Sequence, residues 1–98
     1  MTAIELRGRL VCRTLDEAEV VRRELPRHTA LSRSEPGCVR FSVEPTADPL
    51  VWTVSEKFVD RASFDAHQER VGRSAWGRAT RGIPRDYVIE PAPERPAT

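Results

Sequence analysis

Residues 34–41 have the sequence Ser-Glu-Pro-Gly-Cys-Val-Arg-Phe, which combines a helix stop with the start of a strand. Proline cannot continue a helix, and glycine can take the positive φ that reverses the chain. From residue 38 to residue 44 apolar and polar side chains alternate, with Val39, Phe41 and Val43 on one face, which is typical of a half-buried strand. The stretch therefore predicts a helix before residue 35 and a strand after it.

Three further segments show the same alternation. Residues 50–58 follow the short turn 45–49, so they should form an antiparallel hairpin with the strand before them. Residues 3–13 predict a first strand, in which Gly8 marks a bulge or a close approach, and residues 86–90 predict a last one. The apolar side chains expected to meet the helices are Leu6, Leu10, Phe41, Val43, Trp52, Val54, Tyr87 and Ile89.

A first helix is predicted to begin after Thr14, because Glu17 three residues later completes a capping box. Pro26 lies inside the apolar pattern that follows, so a kink or a split near Glu24 is expected. His28 lies on the same helix, where a hydrogen-bonded or half-exposed histidine is expected rather than a base.

Two helices are predicted after the hairpin. Asp60 has the position of an N-cap, and Phe64, His67 and Val71 then fall on one face at helical spacing. A short helix should follow over residues 73–81 and end at the Gly82 turn. Its inward side chains are expected to be Ala75, Trp76 and Ala79.

The predicted element order is β-α-β-β-α-(α)-β, which favours an α+β fold of ferredoxin-like type. This fold is a four-stranded antiparallel sheet with the helices on one face. The domain should span residues 1–90, and the proline-rich residues 91–98 predict a disordered tail. The other face of the sheet is mixed in polarity and could pack against a second copy; its apolar part consists of Val11, Val51, Thr53 and Val88.

The composition argues against a nucleic-acid-binding protein and against a membrane protein. The 98 residues carry 16 basic and 15 acidic side chains, a net charge of +1, without the clustered positive charge that nucleic-acid binding needs. No signal peptide is recognisable, and no apolar run approaches the ~20 residues of a membrane span. A cytoplasmic protein with no nucleic acid or membrane partner is therefore expected, with its two cysteines as free thiols.

The sequence resembles the antibiotic biosynthesis monooxygenase (ABM) family, including its quinol-monooxygenase-like members, over residues 4–90. The resemblance rests on residues 34–38, on Phe41, on Glu56 with Phe58 two residues later, and on the segment 60–67 that ends at His67. It implies a dimeric α+β barrel, a homodimer joined through its sheet faces, with a pocket between sheet and helices in each subunit. It also implies oxidation of a phenol- or quinol-type aromatic with O2, without metal, flavin or haem.

His67 and Glu56 are the candidate catalytic residues. An imidazole with a pKa near its ordinary ~6.5 can accept a phenolic proton, although a buried histidine can also simply pin a helix to the sheet. Glu56 lies mid-strand on the core face, where an unpaired carboxylate would cost several kcal/mol. It should therefore pair with His67 or with an arginine such as Arg78, either as a structural pair or to orient His67.

Five aromatic residues are candidates for binding a flat substrate ring: Trp76, Phe58, Tyr87, Trp52 and Phe64. A domain this small also needs aromatic side chains as core, which is the favoured role for Trp52 and Phe64. No metal or cofactor is expected, since two thiols do not make a zinc site. The preferred function is a cofactor-independent monooxygenase acting on a small aromatic and O2. The alternative is a dimeric barrel that binds a small aromatic ligand, or serves a stress response, without catalysis.

Overall fold

A computed structural model describes residues 2–93 of the chain. Four strands form one antiparallel sheet in the order β2-β3-β1-β4, and three helices connect them. This architecture confirms the ferredoxin-like α+β prediction. The elements in chain order are β1 (Ile4–Val11), α1 (Leu15–Arg33), β2 (Cys38–Pro45), β3 (Val51–Phe58), α2 (Arg61–Arg73), α3 (Ala75–Ala79) and β4 (Arg85–Pro91).

The core forms where alternating side chains of the sheet meet the helices. Leu10 lies opposite Trp52, and Leu6 lies opposite Glu56, so the buried rows of β1 and β3 are in register. These side chains are buried together with Val21 of α1, Phe64 of α2 and Trp76 of α3. Glu56 is thus a carboxyl group set into an otherwise apolar row.

Helix α1 runs without interruption through Pro26, so of the predicted kink or split near Glu24 the split is wrong. A proline inside a helix costs about 3 kcal/mol because it lacks the N–H and its ring crowds the preceding turn. Val21 and His28 are buried on either side of it, and this tertiary packing keeps the helix continuous. The predicted capping box is present: Thr14 Oγ1 accepts from the Glu17 N–H at 3.1 Å, and the Glu17 carboxylate accepts from the Arg13 N–H at 2.6 Å.

Val39 was predicted to share a face with Phe41 and Val43, but a β-bulge at the start of β2 turns it to the other side. Cys38 pairs with Phe58 and Arg40 with Lys57, so Val39 is an extra residue on this strand. Val39 is 55 % exposed, whereas Phe41 and Val43 are buried as predicted. The bulge turns one apolar side chain outward, which strict alternation cannot foresee.

The helix that follows α2 is shorter than predicted. Helix α3 has five residues instead of nine, and Trp76 is buried as expected. Ala75 and Ala79, however, are exposed, and Thr80 is the second buried side chain. Thr80 Oγ1 donates to the Trp76 carbonyl at 2.7 Å, which lets a polar residue end this short helix inside the core.

The edge strand β4 extends slightly beyond its predicted bounds. It ends at Pro91, and the N–H of Ala92 donates to the Ala3 carbonyl at 2.8 Å. Ile89 was expected to be covered by the helices but is 45 % exposed, because β4 lies at the edge of the sheet. Of the predicted tail, residues 94–98 lie outside the described residues.

The predicted close approach at Gly8 lies between β1 and β4. A Cβ atom at this position would lie 2.0 Å from the Asp86 carbonyl oxygen, so only glycine fits.

Among the described residues, no helix has both the length and the hydropathy needed to cross a bilayer.

Candidate active site

A cavity of about 390 Å³ lies between the sheet and the α2–α3 segment. Leu6, Val54 and Glu56 line it from the sheet, and His67 and Trp76 line it from the helices. Its volume falls in the range that holds a small ligand of one or two rings. We call it the inner cavity.

His67 is held on one side by Glu35. The imidazole Nδ1 lies 2.6 Å from Glu35 Oε1, and the His67 side chain is almost fully buried. The hydrogen bond to a carboxylate places the proton on Nδ1 and leaves the lone pair on Nε2. Glu35 occupies this position because the 34–37 helix stop brings it beneath α2. A carboxylate that fixes the tautomer of a histidine is a recurring device for preparing a general base.

Glu56 lies on the other side of the same imidazole. Its Oε1 is 3.5 Å from His67 Nε2, beyond an ordinary hydrogen bond, and has no hydrogen-bond partner within residues 2–93. Burial raises the pKa of Glu56 to about 7, and the nearby charge of Glu35 adds to this rise. Burial also lowers the pKa of His67, while the Glu35 hydrogen bond opposes that shift. Near neutral pH the site therefore holds a neutral imidazole beside a carboxyl group that can carry a proton.

Arg70 extends this chain of polar groups outward. Its Nη2 donates to Glu35 Oε1 at 3.2 Å and to Ser32 Oγ at 3.1 Å. Glu35 is therefore shared between a guanidinium and the His67 ring, both from α2, and Ser32 of α1 helps to hold the guanidinium. A residue whose own geometry is set by two neighbours can orient a third precisely enough for proton transfer.

His28 forms part of the wall of the inner cavity. Its ring stacks on Trp76 with 4.4 Å between centroids and an interplanar angle of 1°, and it meets the Phe41 ring edge at 5.0 Å. Burial lowers the pKa of His28 to about 3, helped by the charges of His67, Arg70 and Arg85. The ring thus stays neutral, and its Nδ1 has no hydrogen-bond partner in the described part of the chain. The expected hydrogen-bonded or half-exposed histidine is instead a buried, stacked one.

The structure brings four predicted site residues into one cavity: His67, Glu56, Trp76 and Tyr87. Tyr87 enters from β4, and burial raises its pKa to about 12, so its hydroxyl remains a hydrogen-bond donor at neutral pH. Arg78, the suggested arginine partner of Glu56, instead donates to the Arg73 carbonyl at 2.8 Å.

The other three aromatic candidates are not among the residues that line the inner cavity. Phe58 packs behind His67 with 4.7 Å between ring centroids, and Phe64 meets Phe58 at 5.8 Å. Trp52 is buried in the core opposite Leu10. Phe58 and Phe64 therefore support the imidazole from behind.

Sequence reasoning missed Glu35, Arg70 and the cavity role of His28. The signal for Glu35 was available, because it belongs to the segment 34–38 that carries the family resemblance, but the segment was interpreted only as a turn. Arg70 follows His67 by three residues and lies near it on the helix, which is a weak signal among so many arginines. Within residues 2–93 no cluster of three or more His, Cys, Asp or Glu side chains is placed to hold a metal ion.

Comparisons with known proteins bear on the family and the fold of this chain. The family model described as antibiotic biosynthesis monooxygenase matches residues 15–79, more than half of the chain. No protein of curated function matches it significantly in sequence. A protein from Nitrosomonas europaea, provisionally named an antibiotic biosynthesis monooxygenase, has a TM-score of 0.75 at 23% identity, covering 93% of this chain and 89% of its own.

Two further solved structures have similar folds. A provisionally named antibiotic biosynthesis monooxygenase from Deinococcus radiodurans has a TM-score of 0.78 at 18% identity, covering 97% of both chains. Rv0793 from Mycobacterium tuberculosis has a TM-score of 0.73 at 19% identity, covering 98% of this chain and 99% of its own. These likenesses support the fold, and the family model gives the assignment: the chain belongs to the antibiotic biosynthesis monooxygenase family.

Proposed function

We propose that this chain is a cofactor-independent monooxygenase that oxidises a small phenol or quinol with O2. The observation that carries the proposal is the Glu35–His67 pair, at 2.6 Å, whose free Nε2 lies beside Glu56 in the wall of the inner cavity. A neutral, oriented imidazole in a cavity with both apolar and polar walls suits the removal of a phenolic proton.

In the first step His67 Nε2 takes the proton of the substrate hydroxyl. The imidazolium that forms is stabilised by Glu35, because a hydrogen bond between a cation and a carboxylate is about twice as strong as a neutral one. The substrate becomes a phenolate, an electron-rich anion that can pass an electron to O2. Trp76, whose ring is stacked on His28, supplies an aromatic surface for the substrate ring.

The substrate alone supplies the electrons in the steps that follow. O2 bonds to a ring carbon that carries hydrogen, ortho or para to the phenolate oxygen in a phenol and ortho to it in a quinol, and gives a peroxide. The O–O bond then breaks: one oxygen becomes the second carbonyl of a quinone, and the other leaves as water with the two hydrogens lost from the hydroxyl and the ring. One phenol and one O2 thus give one quinone and one water, and one quinol and one O2 give one hydroxyquinone and one water. Either is a four-electron oxidation that needs no outside reductant.

Two further groups have roles in this scheme. Glu56, with a pKa of about 7, can give its proton to the departing peroxide oxygen and recover it from His67. Tyr87 keeps its proton at neutral pH and can donate a hydrogen bond to the phenolate oxygen. Both act from within the same cavity as His67.

The proposal is tested by O2 uptake with a panel of naphthols and quinols, followed by mass spectrometry under ¹⁸O2. We expect one O2 consumed per quinone formed and one ¹⁸O atom in the product, above the rate of a protein-free control. Quenching of tryptophan fluorescence by the same compounds without O2 uptake would instead favour the alternative, a protein that binds aromatic ligands without catalysis.

We also propose that two copies pair through the sheet face that carries no helix. Val88 on this face is 58 % exposed, and Val11 lies beside Val51 across the β1–β3 pair. Arg40 and Glu5 form an ion pair at 3.3 Å on the same face and could be covered without leaving either charge unpaired. Light scattering should give a dimer at micromolar concentration for the wild type and a monomer for Val88→Asp. A wild-type monomer contradicts this pairing.

A further inference from the structure

A second cavity of about 410 Å³ lies on the outer side of the helical layer, where α1 meets the α2–α3 segment. Its charged lining contains four arginines, Arg27, Arg70, Arg73 and Arg78, and a single carboxylate, Glu24. Leu31 and Trp76 contribute apolar surface. We call it the outer cavity.

Half of these arginines already have carboxylate partners. Arg70 pairs with Glu35 at 3.2 Å, and Arg73 pairs with Glu69 at 3.5 Å. The one carboxylate of the lining, Glu24, pairs with Arg23 at 3.3 Å, outside the lining.

The other two arginines carry charge that no carboxylate neutralises. Within residues 2–93, Arg27 has no ion-pair or hydrogen-bond partner, and Arg78 contacts only the Arg73 carbonyl, at 2.8 Å. The cavity therefore presents an excess of positive charge beside apolar surface. Such a combination attracts an anion that also has an apolar body.

We propose that the outer cavity binds a small organic carboxylate, with the carboxylate held by Arg27 and Arg78 and the apolar body on Leu31 and Trp76. The planar guanidinium group matches a carboxylate in geometry, and the two together form charge-assisted hydrogen bonds. The volume suits a ligand of one or two rings.

The outer cavity is separate from the inner one. The stacked pair of His28 and Trp76 belongs to the walls of both, so it divides them. The arginines of the inner cavity are different residues, Arg81 and Arg85. Because Trp76 faces both cavities while Trp52 lines neither, the two indole groups provide a reporter and an internal reference.

The test is a titration with 2-naphthoate followed by ¹H–¹⁵N NMR of the two indole N–H groups. We expect the Trp76 signal to shift saturably and the Trp52 signal to stay in place. 2-Naphthamide, which has nearly the same shape without the charge, should bind at least about tenfold more weakly. Raising the salt concentration should also weaken naphthoate binding, since exposed charges are screened.

Paired variants then locate the site. Arg27→Gln combined with Arg78→Gln should weaken naphthoate binding about tenfold, because the double variant removes both charges proposed to hold the carboxylate. Arg81→Gln, an exposed arginine of the inner cavity, should bind like the wild type. The proposal is overturned by an unshifted Trp76 signal, by equal affinity for the amide, or by weakening in Arg81→Gln but not in the double variant. None of these readouts depends on turnover, so the result is independent of the proposed oxidation.

Discussion

Replacing Glu56 by glutamine should change how the stability of the fold depends on pH. The side chain is buried, its Oε1 has no hydrogen-bond partner within residues 2–93, and its pKa is raised to about 7. The ordinary pKa of a glutamate is 4.5, so folding raises this pKa by about 2.5. At about 1.4 kcal/mol per unit this corresponds to about 3 kcal/mol of unfolding free energy.

The sign follows from proton binding. Because the folded state holds the Glu56 proton more tightly than the unfolded state, stability is fully present below pH 4.5 and is lost as the pH rises through 7. Glutamine has nearly the same shape and never ionises. The free energy of unfolding of Glu56→Gln should therefore exceed that of the wild type by about 3 kcal/mol more at pH 8.5 than at pH 4.

Urea unfolding at pH 4, 5.5, 7 and 8.5, at one fixed protein concentration, measures this difference. Both proteins keep the buried histidines, so the difference between the two curves reports Glu56 together with its coupling to His67, which lies 3.5 Å away. Glu69→Gln, which removes an exposed carboxylate of α2, serves as the matched control for the loss of one acidic side chain. If Glu56→Gln and the wild type have parallel profiles, Glu56 is not a buried neutral carboxyl group and its proposed role in proton transfer fails.

Three further variants have defined outcomes. Glu35→Gln removes the charge from the 2.6 Å hydrogen bond to His67, so it should lower the His67 pKa in an NMR titration and slow O2 uptake about 10- to 100-fold; an unmoved pKa contradicts the pairing. Tyr87→Phe should slow turnover about tenfold with little loss of stability, and an unchanged rate would remove Tyr87 from the mechanism. Gly8→Ala places a Cβ 2.0 Å from the Asp86 carbonyl and should cost at least about 2 kcal/mol in urea unfolding. If Gly8→Ala were as stable as the wild type, β4 would be free to move away from β1.

Sequence periodicity predicts which side of each element is buried, and this is enough to bring Glu56 and His67 together. Alternation along β3 places Glu56 on the same face as Trp52 and Phe58, and helical spacing places His67 beside Phe64. Since one sheet face must meet the helices, both polar groups necessarily enter the same interior.

Other features depend on three-dimensional detail that periodicity does not contain. The Glu35–His67 hydrogen bond joins residues 32 positions apart, and it depends on where the helix stop lies relative to α2. Whether Trp76 or Phe58 lines the inner cavity depends on how far α3 stands off the sheet. The bulge at Val39 and the continuity of α1 through Pro26 are decided by tertiary packing, which overrides local preference.

The most direct test of the central claim compares O2 consumption by the wild type and His67→Gln on the naphthol and quinol panel. Glutamine can still fill the site and bond to Glu35, but it cannot accept a phenolic proton. We expect at least about a 100-fold slower rate for His67→Gln. Glu69→Gln, an exposed change on the same helix, should keep the wild-type rate. Equal rates for His67→Gln and the wild type on any substrate that the wild type oxidises would show that the imidazole is not the base.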